Sequence, residues 1–385
     1  MASYGSSNDI SFNESYNSKK TEQGSFFNLT LLPETSPRRL KISQKNKLIF
    51  FRQLSVILKS GIPLAQGLEL LAENMTNKAF SKCILDIASK LSAGNDLSSA
   101  LAEYPKVFDP ITVGLIEAGE TGGFLSEVLE RIALLIESQS KIRSEIKGAL
   151  IYPLIVLFLA VTVSLALLIF IVPTFQELFQ GLGAELPGLT RSLLQLSKVV
   201  TSLTFFVLTP LCLFIICILY SQFYATKSGR LIIDKLILKI PLFGELILRS
   251  EMASMSDTLS TLVNSGIPII DSLEKCIVAS GNQVIKNTLT KSIIMVNQGQ
   301  ALSYSFNTSK AIPRLFISMV KIGEETGSLP FMLDNLSNFY KREVDEVVSA
   351  LTKAMEPAVI FVVAGIVGTI VIALYLPMFS LLGQI

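Results

Sequence analysis

Histidine is absent from this chain, and so is tryptophan. Without histidine there is no Ser-His-Asp triad, no HExxH zinc site and no imidazole proton relay. Cysteine is scarce: Cys83, Cys212, Cys217 and Cys276 stand singly, with no CxxC pair and no disulfide framework, so they read as small apolar packing residues. No Gly-x-x-x-x-Gly-Lys-Ser/Thr loop occurs, and Gly181-Leu-Gly183 lacks a third glycine, so any ATP-driven work must be powered by another protein. No nucleophile-base pair is visible, so catalysis and a cofactor are not expected. A formal net charge of +2 gives no reason to expect a nucleic-acid partner. Strand-like alternation is also missing, which leaves an all-α reading.

Charge itself is missing from three long runs. No Asp, Glu, Lys or Arg occurs in residues 148–176, 199–226 or 357–385. Crossing a bilayer core takes about 20 helical residues, and each run is long enough. The middle run is the most polar, with Thr201, Ser202 and Thr204 at its start and Pro210 inside; proline is tolerated in membrane helices. The basic residues orient the chain. Lys141, Arg143 and Lys147 precede the first run, Lys227, Arg230, Lys235 and Lys239 follow the second, and Lys341, Arg342 and Lys353 precede the third. Positive residues favour the inside, so the N-terminus is expected in the cytoplasm and the C-terminus outside.

What is there is a duplication. Residues 54–69 read LSVILKSGIPLAQGLE and residues 259–274 read LSTLVNSGIPIIDSLE, an offset of 205. The offset then becomes 204: Gly119-Glu120…Gly123-x-Leu125 answers Gly323-Glu324…Gly327-x-Leu329, Pro153 answers Pro357, and Pro173 answers Pro377. The expected architecture is an all-α polytopic membrane protein with two homologous cytoplasmic helical-bundle domains and three transmembrane helices. Its parts are a polar, disordered tail over 1–45, domain 1 over 46–148, a span over 149–173 and an outer connection over 174–198. A second span over 199–223, domain 2 over 224–356 and a third span over 357–381 complete it. Within the tail, Phe26 to Leu32 forms a short apolar island that is either a docking peptide or merely sticky. About six helices are expected in each bundle.

Three motifs carry the polar and conformational signals. Ser-Gly-Ile-Pro occurs twice; Gly61 and Gly266 suit the left-handed residue past a helix end, and Pro63 and Pro268 suit the first turn of the next helix. The Gly-Glu segments GETGGFLSEVL and GEETGSLPFML suit a tight turn, with an acid near the next helix's N-terminus favoured by the helix dipole. The other reading is an acidic corner for a cation or a partner's basic groups, with Glu117, Glu120, Glu324 and Glu325 as the groups to test. Pro173 follows Pro153, and Pro377 follows Pro357, by the same 20 residues, which assigns both helices one mechanical task. Ala364-Gly365-Ile-Val-Gly368 supplies a helix-packing face rather than a pore. The spans hold no Asp, Glu, Lys or Arg and only scattered Thr and Ser such as Thr162, Ser164 and Thr369, which argues against the alternative reading as a membrane subunit of a small-molecule or ion transporter.

Together these residues resemble the F-protein family of bacterial type II secretion, which includes the inner-membrane platform proteins of type IV pili. Further pieces are Ala149 to Pro153 entering the first span, Val172-Pro-Thr-Phe175-x-x-x-Phe179 after it, Gly183 to Thr190, and Ile240-Pro-Leu-Phe-Gly244 opening domain 2. Gly122 stands where the family prefers Ser or Thr, and Glu145 where a basic residue or Gln is usual. The resemblance implies a platform in the bacterial inner membrane, contacting a hexameric assembly ATPase, inner-membrane adaptor proteins and pilin-like subunits, and self-associating as a homo-oligomer. It also implies that the long helix joining each bundle to its span transmits force. It does not separate secretion from pilus building.

Overall fold

A computed structural model describes residues 42–181 and 188–382, and every regular element among them is helical. The apolar island at Phe26 to Leu32 lies outside the described residues. Domain 1 begins with α1 (Gln44–Lys59), whose first turn is capped by the Ser43 hydroxyl accepting from Asn46 N. It continues through α2 (Leu64–Glu73), α3 (Lys78–Ser92), α4 (Leu97–Ala102) and α5 (Pro110–Gly122). α6 (Leu125–Ala166) closes the bundle and runs on for 42 residues, about 63 Å of helix. The domain 1 core is aromatic: Phe50, Phe51, Phe80 and Phe108 are each no more than 2% exposed, with ring centroids 5.0 to 6.4 Å apart. Burying a side chain of that size stabilises by about 1.5–3 kcal/mol. The same core holds Cys83, whose thiol is pushed up to about 12 by burial and then by Asp86, so it stays a protonated packing group.

Domain 2 repeats this order with α11 (Phe243–Asn264), α12 (Ile269–Ala279), α13 (Gln283–Asn297), α14 (Leu302–Asn307), α15 (Arg314–Thr326) and α16 (Leu329–Leu382). α16 is 54 residues long, about 80 Å. One extra helix, α10 (Lys227–Ile237), precedes the repeat. In each domain the first helix of the repeat lies along the long one, α1 on α6 and α11 on α16. Arg52 on α1 pairs with Glu137 on α6 at 2.7 Å, and Lys341 on α16 pairs with Asp257 on α11 at 2.8 Å. Ser55 donates to Ser126 O at 2.9 Å, and Ser260 to Pro330 O at 3.3 Å.

Three helical stretches are long and apolar enough to cross a membrane: Leu125–Phe175, Val207–Ala225 and Leu329–Ala373. The first includes a π-helical turn over Leu167–Ile171, followed by α7 (Val172–Gly181). α8 (Gly188–Thr201) then packs on the far ends of the first and third stretches, around Leu168, Val172, Leu193, Leu194, Ile370 and Ala373. Ser202 separates α8 from α9 (Leu203–Ala225) and caps α9 by accepting from Thr204 N, so the middle helix starts after Thr201 and Ser202 and takes in Thr204.

Candidate functional site

The two Ser-Gly-Ile-Pro segments adopt one conformation. Gly61 and Gly266 have φ of +80° and +79°, and the next amide closes a six-residue loop in each case, Ile62 N to Ile57 O and Ile267 N to Leu262 O. Such a turn needs a residue without a Cβ penalty. Pro63 and Pro268 occupy the cap position just before the next helix rather than its first turn, with ψ near 141° and 146°.

The Gly-Glu segments also match each other, but their acids point elsewhere than expected. Glu120 accepts from Leu97 N at 2.5 Å and Ser98 N at 3.0 Å, capping α4, a helix that precedes it in sequence. Glu324 does the same for α14, accepting from Leu302 N at 2.5 Å and Ser303 N at 2.9 Å. The next helix, α6 or α16, receives neither carboxylate. The reason is local. The cap position of α14 is Ala301, which has no side-chain acceptor, and Asp96 at the cap of α4 makes no side-chain cap bond. The orphan amides of these six-residue helices therefore take an acceptor from across the bundle. Gly123 and Gly327 end α5 and α15 in the left-handed region, at φ +74° and +68°. Gly119 and Gly323 serve packing instead: a Cβ would lie 2.9 Å from Val128 Cγ2 at the first and 2.8 Å from Leu329 Cα at the second. Gly122 has a reason too, since the Phe124 ring covers it and a Cβ would overlap that ring. Glu117 is exposed, and Glu325 is exposed beside Lys321 at 3.7 Å. The four acids thus divide into two caps and two surface groups, and no cluster of three His, Cys, Asp or Glu that could hold a metal exists among the described residues.

The second prolines of the two pairs have a shared role at the ends of the spans far from the bundles. In the π turn, Val172 N donates to Leu167 O, so the next carbonyl in that register, Leu168 O, falls to residue 173, a proline with no N–H. Ser197 on α8 donates to Leu168 O at 2.6 Å. Pro377 likewise cannot donate to Ala373 O, four residues back, and Thr190 on α8 donates to it at 2.6 Å. Both hydroxyls are buried. In an apolar setting a free carbonyl is costly, so two prolines and two hydroxyls together fasten α8 across both spans. At the ends nearer the bundles, Pro153 is buried and Pro357 exposed. Pro153 lines an apolar groove of about 370 Å³ between α6 and α16, with Leu150, Leu154, Met355 and Val359, whereas Pro357 does not line it.

The two domains touch asymmetrically. The Gly-Glu side of domain 1 faces the Ser-Gly-Ile-Pro turn of domain 2 across a cleft of about 540 Å³ containing Glu117, Asp271, Glu274 and Lys275. Arg131 donates to Ser265 at 3.3 Å, and Lys275 reaches Pro110 O at 3.5 Å.

Duplicated bundles, each continuous with a membrane-length helix and fastened by a third element, define a class of polytopic scaffold. The sequence profile of "Type II secretion system (T2SS), protein F" matches residues 50–173 and 255–377, one segment in each repeat. The chain belongs to that family. It is 37% identical over 344 residues to the type IV pilus assembly protein PilC of Thermus thermophilus, covering 89% of this chain and 84% of the relative. It is 34% identical over 344 residues to PilC of Myxococcus xanthus, covering 89% and 82%. It is 29% identical over 341 residues to type II secretion system protein F of Vibrio cholerae, covering 88% and 83%.

Proposed function

We propose that this chain is the inner-membrane platform of a type IV pilus or type II secretion machine. It couples a cytoplasmic hexameric assembly ATPase to the movement of pilin-like subunits from the bilayer into a growing fibre. In this reading the N-terminus and both bundles lie in the cytoplasm and the C-terminus in the periplasm, which the basic residues flanking the spans favour. Inner-membrane adaptor proteins and further copies of the chain complete the assembly. The observation that carries this reading is the continuity of α6 and α16, each of which belongs to a soluble core at one end and a membrane span at the other. A helix without a break transmits rotation and displacement. The family membership and the uncharged spans favour this reading over a transporter subunit.

A flexible Gly-Ser insertion after Ser138 tests it. The variant is expected to accumulate in the membrane and still co-purify with an assembly ATPase and pilin-like subunits, yet to build no fibre. Fibre assembly at the normal level would defeat transmission through α6. Purification of the intact chain without an ATPase or pilin-like subunit would defeat the platform reading itself.

A further inference from the structure

Domain 2 carries a basic cleft. It has a volume of about 650 Å³ and lies between α10, α13 and the connection after α14. Lys235, Lys291 and Lys310 line it over an apolar floor that includes Leu231, Ile294 and Met295, and no carboxylate lines it. None of the three lysines has an ion-pair partner among the described residues. The same place in domain 1 carries an ion-pair network. There Lys90 bridges Asp86 at 2.8 Å and Glu103 at 2.7 Å, and Tyr104 donates to Asp86 at 2.6 Å. At the offset of 205, Asp86, Lys90 and Glu103 become Lys291, Met295 and Thr308. Every carboxylate of that network has been lost, and a lysine has replaced one of them.

The cleft is rooted at the membrane. α9 ends at Ala225 and α10 begins at Lys227, with Thr226 extended between them. The corner is tight because residue 229 is glycine; a Cβ there would lie 2.1 Å from Phe223 O. Asp234, buried on α10, accepts from Gln283 N at 2.7 Å and so fixes α10 to the start of α13, while Arg230 donates to Gly281 O at 2.9 Å. Lys235 is ten residues past Ala225, within about 15 Å of the end of the span. The headgroup layer adds about 5–7 Å on each side of the hydrocarbon, so the start of α10 falls within it and the cleft opens just beyond it. Ile232 and Leu236 are 57% and 63% exposed beside these lysines, the pattern of a helix lying in a bilayer interface.

We propose that the α10–α13 cleft binds the phosphate-bearing headgroup of an anionic phospholipid, with Lys235, Lys291 and Lys310 around the phosphate and the apolar floor against the upper acyl chain. Free phosphate shares the charge chemistry but not the apolar floor. The proposal does not depend on the platform reading.

The test titrates a short-chain fluorescent phosphatidylglycerol, its phosphatidylcholine counterpart and inorganic phosphate against the full chain in neutral detergent. The variant is Lys235→Gln, Lys291→Gln and Lys310→Gln combined; the control is Lys82→Gln with Lys106→Gln on domain 1. The expected result is a preference for phosphatidylglycerol that the triple variant loses by on the order of 100-fold and the control retains, with equal melting of all three proteins. Equal binding of the two lipids overturns the proposal, as does a preference that survives in the triple variant. Displacement of the lipid by an equal concentration of inorganic phosphate would reassign the cleft to free phosphate and also overturn it.

Discussion

The two domains descend from one pattern, and the contacts they share differ in kind from those they do not. Bonds to the backbone are repeated: both Gly-Glu carboxylates cap a short helix, and both serines at the top of the first helix reach a carbonyl on the long one. Contacts between side chains are not. At the aligned positions of Arg52 and Glu137 stand Asp257 and Lys341, so the tie between first and long helix survives with its charges exchanged. The four phenylalanines of the domain 1 core become Met255, Ser256, Ile285 and Ile312, and aromatic mass returns instead as Phe306 and Phe316. A backbone amide offers one chemistry and so holds its acceptor constant. Two side chains can trade places as long as their sum is kept.

The largest effect is expected at the caps. Glu120→Ala and Glu324→Ala each remove two bonds from amides to a carboxylate, and each is expected to destabilise its own domain by about 3 kcal/mol, measured by denaturant unfolding in detergent. Equal effects would support one shared role; a large effect in one domain alone would break the equivalence. Next comes the clamp formed by α8 at the ends of the spans far from the bundles. Ser197→Ala with Thr190→Ala strands two carbonyls, and a loss of about 2 kcal/mol is expected in the same assay, with increased hydrogen exchange in α8.

The exchanged ion pairs should differ in strength. Asp257 is 15% exposed in its side chain and also accepts from Ser337, whereas Arg52 and Glu137 are 57% and 45% exposed. Asp257→Ala is expected to cost about 1 kcal/mol and Arg52→Ala less than about 0.5 kcal/mol after solvent screening, and only the second loss should disappear in high salt.

The smallest effect is a pH dependence confined to domain 2. Burial raises the Glu251 carboxyl above its usual 4.5, against the lowering by Ser280 and the amides of Gly281 and Asn282. Folding therefore takes up a proton at this site. Its stabilisation is complete below pH 4.5 and is lost as pH rises through the raised value. The stability difference between the wild type and Glu251→Gln should move in favour of the wild type as pH falls from neutral toward 4.5; no movement would refute the burial argument. Domain 1 has Asn46 at the aligned position, which does not titrate.

How much was legible in the sequence follows the same division. The turns at Gly61 and Gly266 could be read directly, because a left-handed residue leaves few options. The spans could be read from missing charge, and the helices from their spacing. The partners of Glu120 and Glu324 could not, because the helix each caps begins 22 or 23 residues earlier and periodicity does not tell which helix end a carboxylate meets. Ala301 at a cap position was the one clue, an acceptor missing where a helix starts. The prolines stood out as pairs, but Ser197 and Thr190 lie on an intervening helix whose docking only the fold reveals. The Arg52–Glu137 and Asp257–Lys341 correspondence was invisible because neither residue of a pair resembles its counterpart.

That exchange has a consequence for how the chain assembles. Two related bundles on one polypeptide invite a mistake in which the first helix of one copy settles on the long helix of the other, and such misassembly is a characteristic failure of repeated domains. Here the mistake is penalised. α1 on α16 would set Arg52 against Lys341, and α11 on α6 would set Asp257 against Glu137, like charge facing like in both cases. A tie of modest strength thereby favours each first helix on its own long helix over the exchanged pairing.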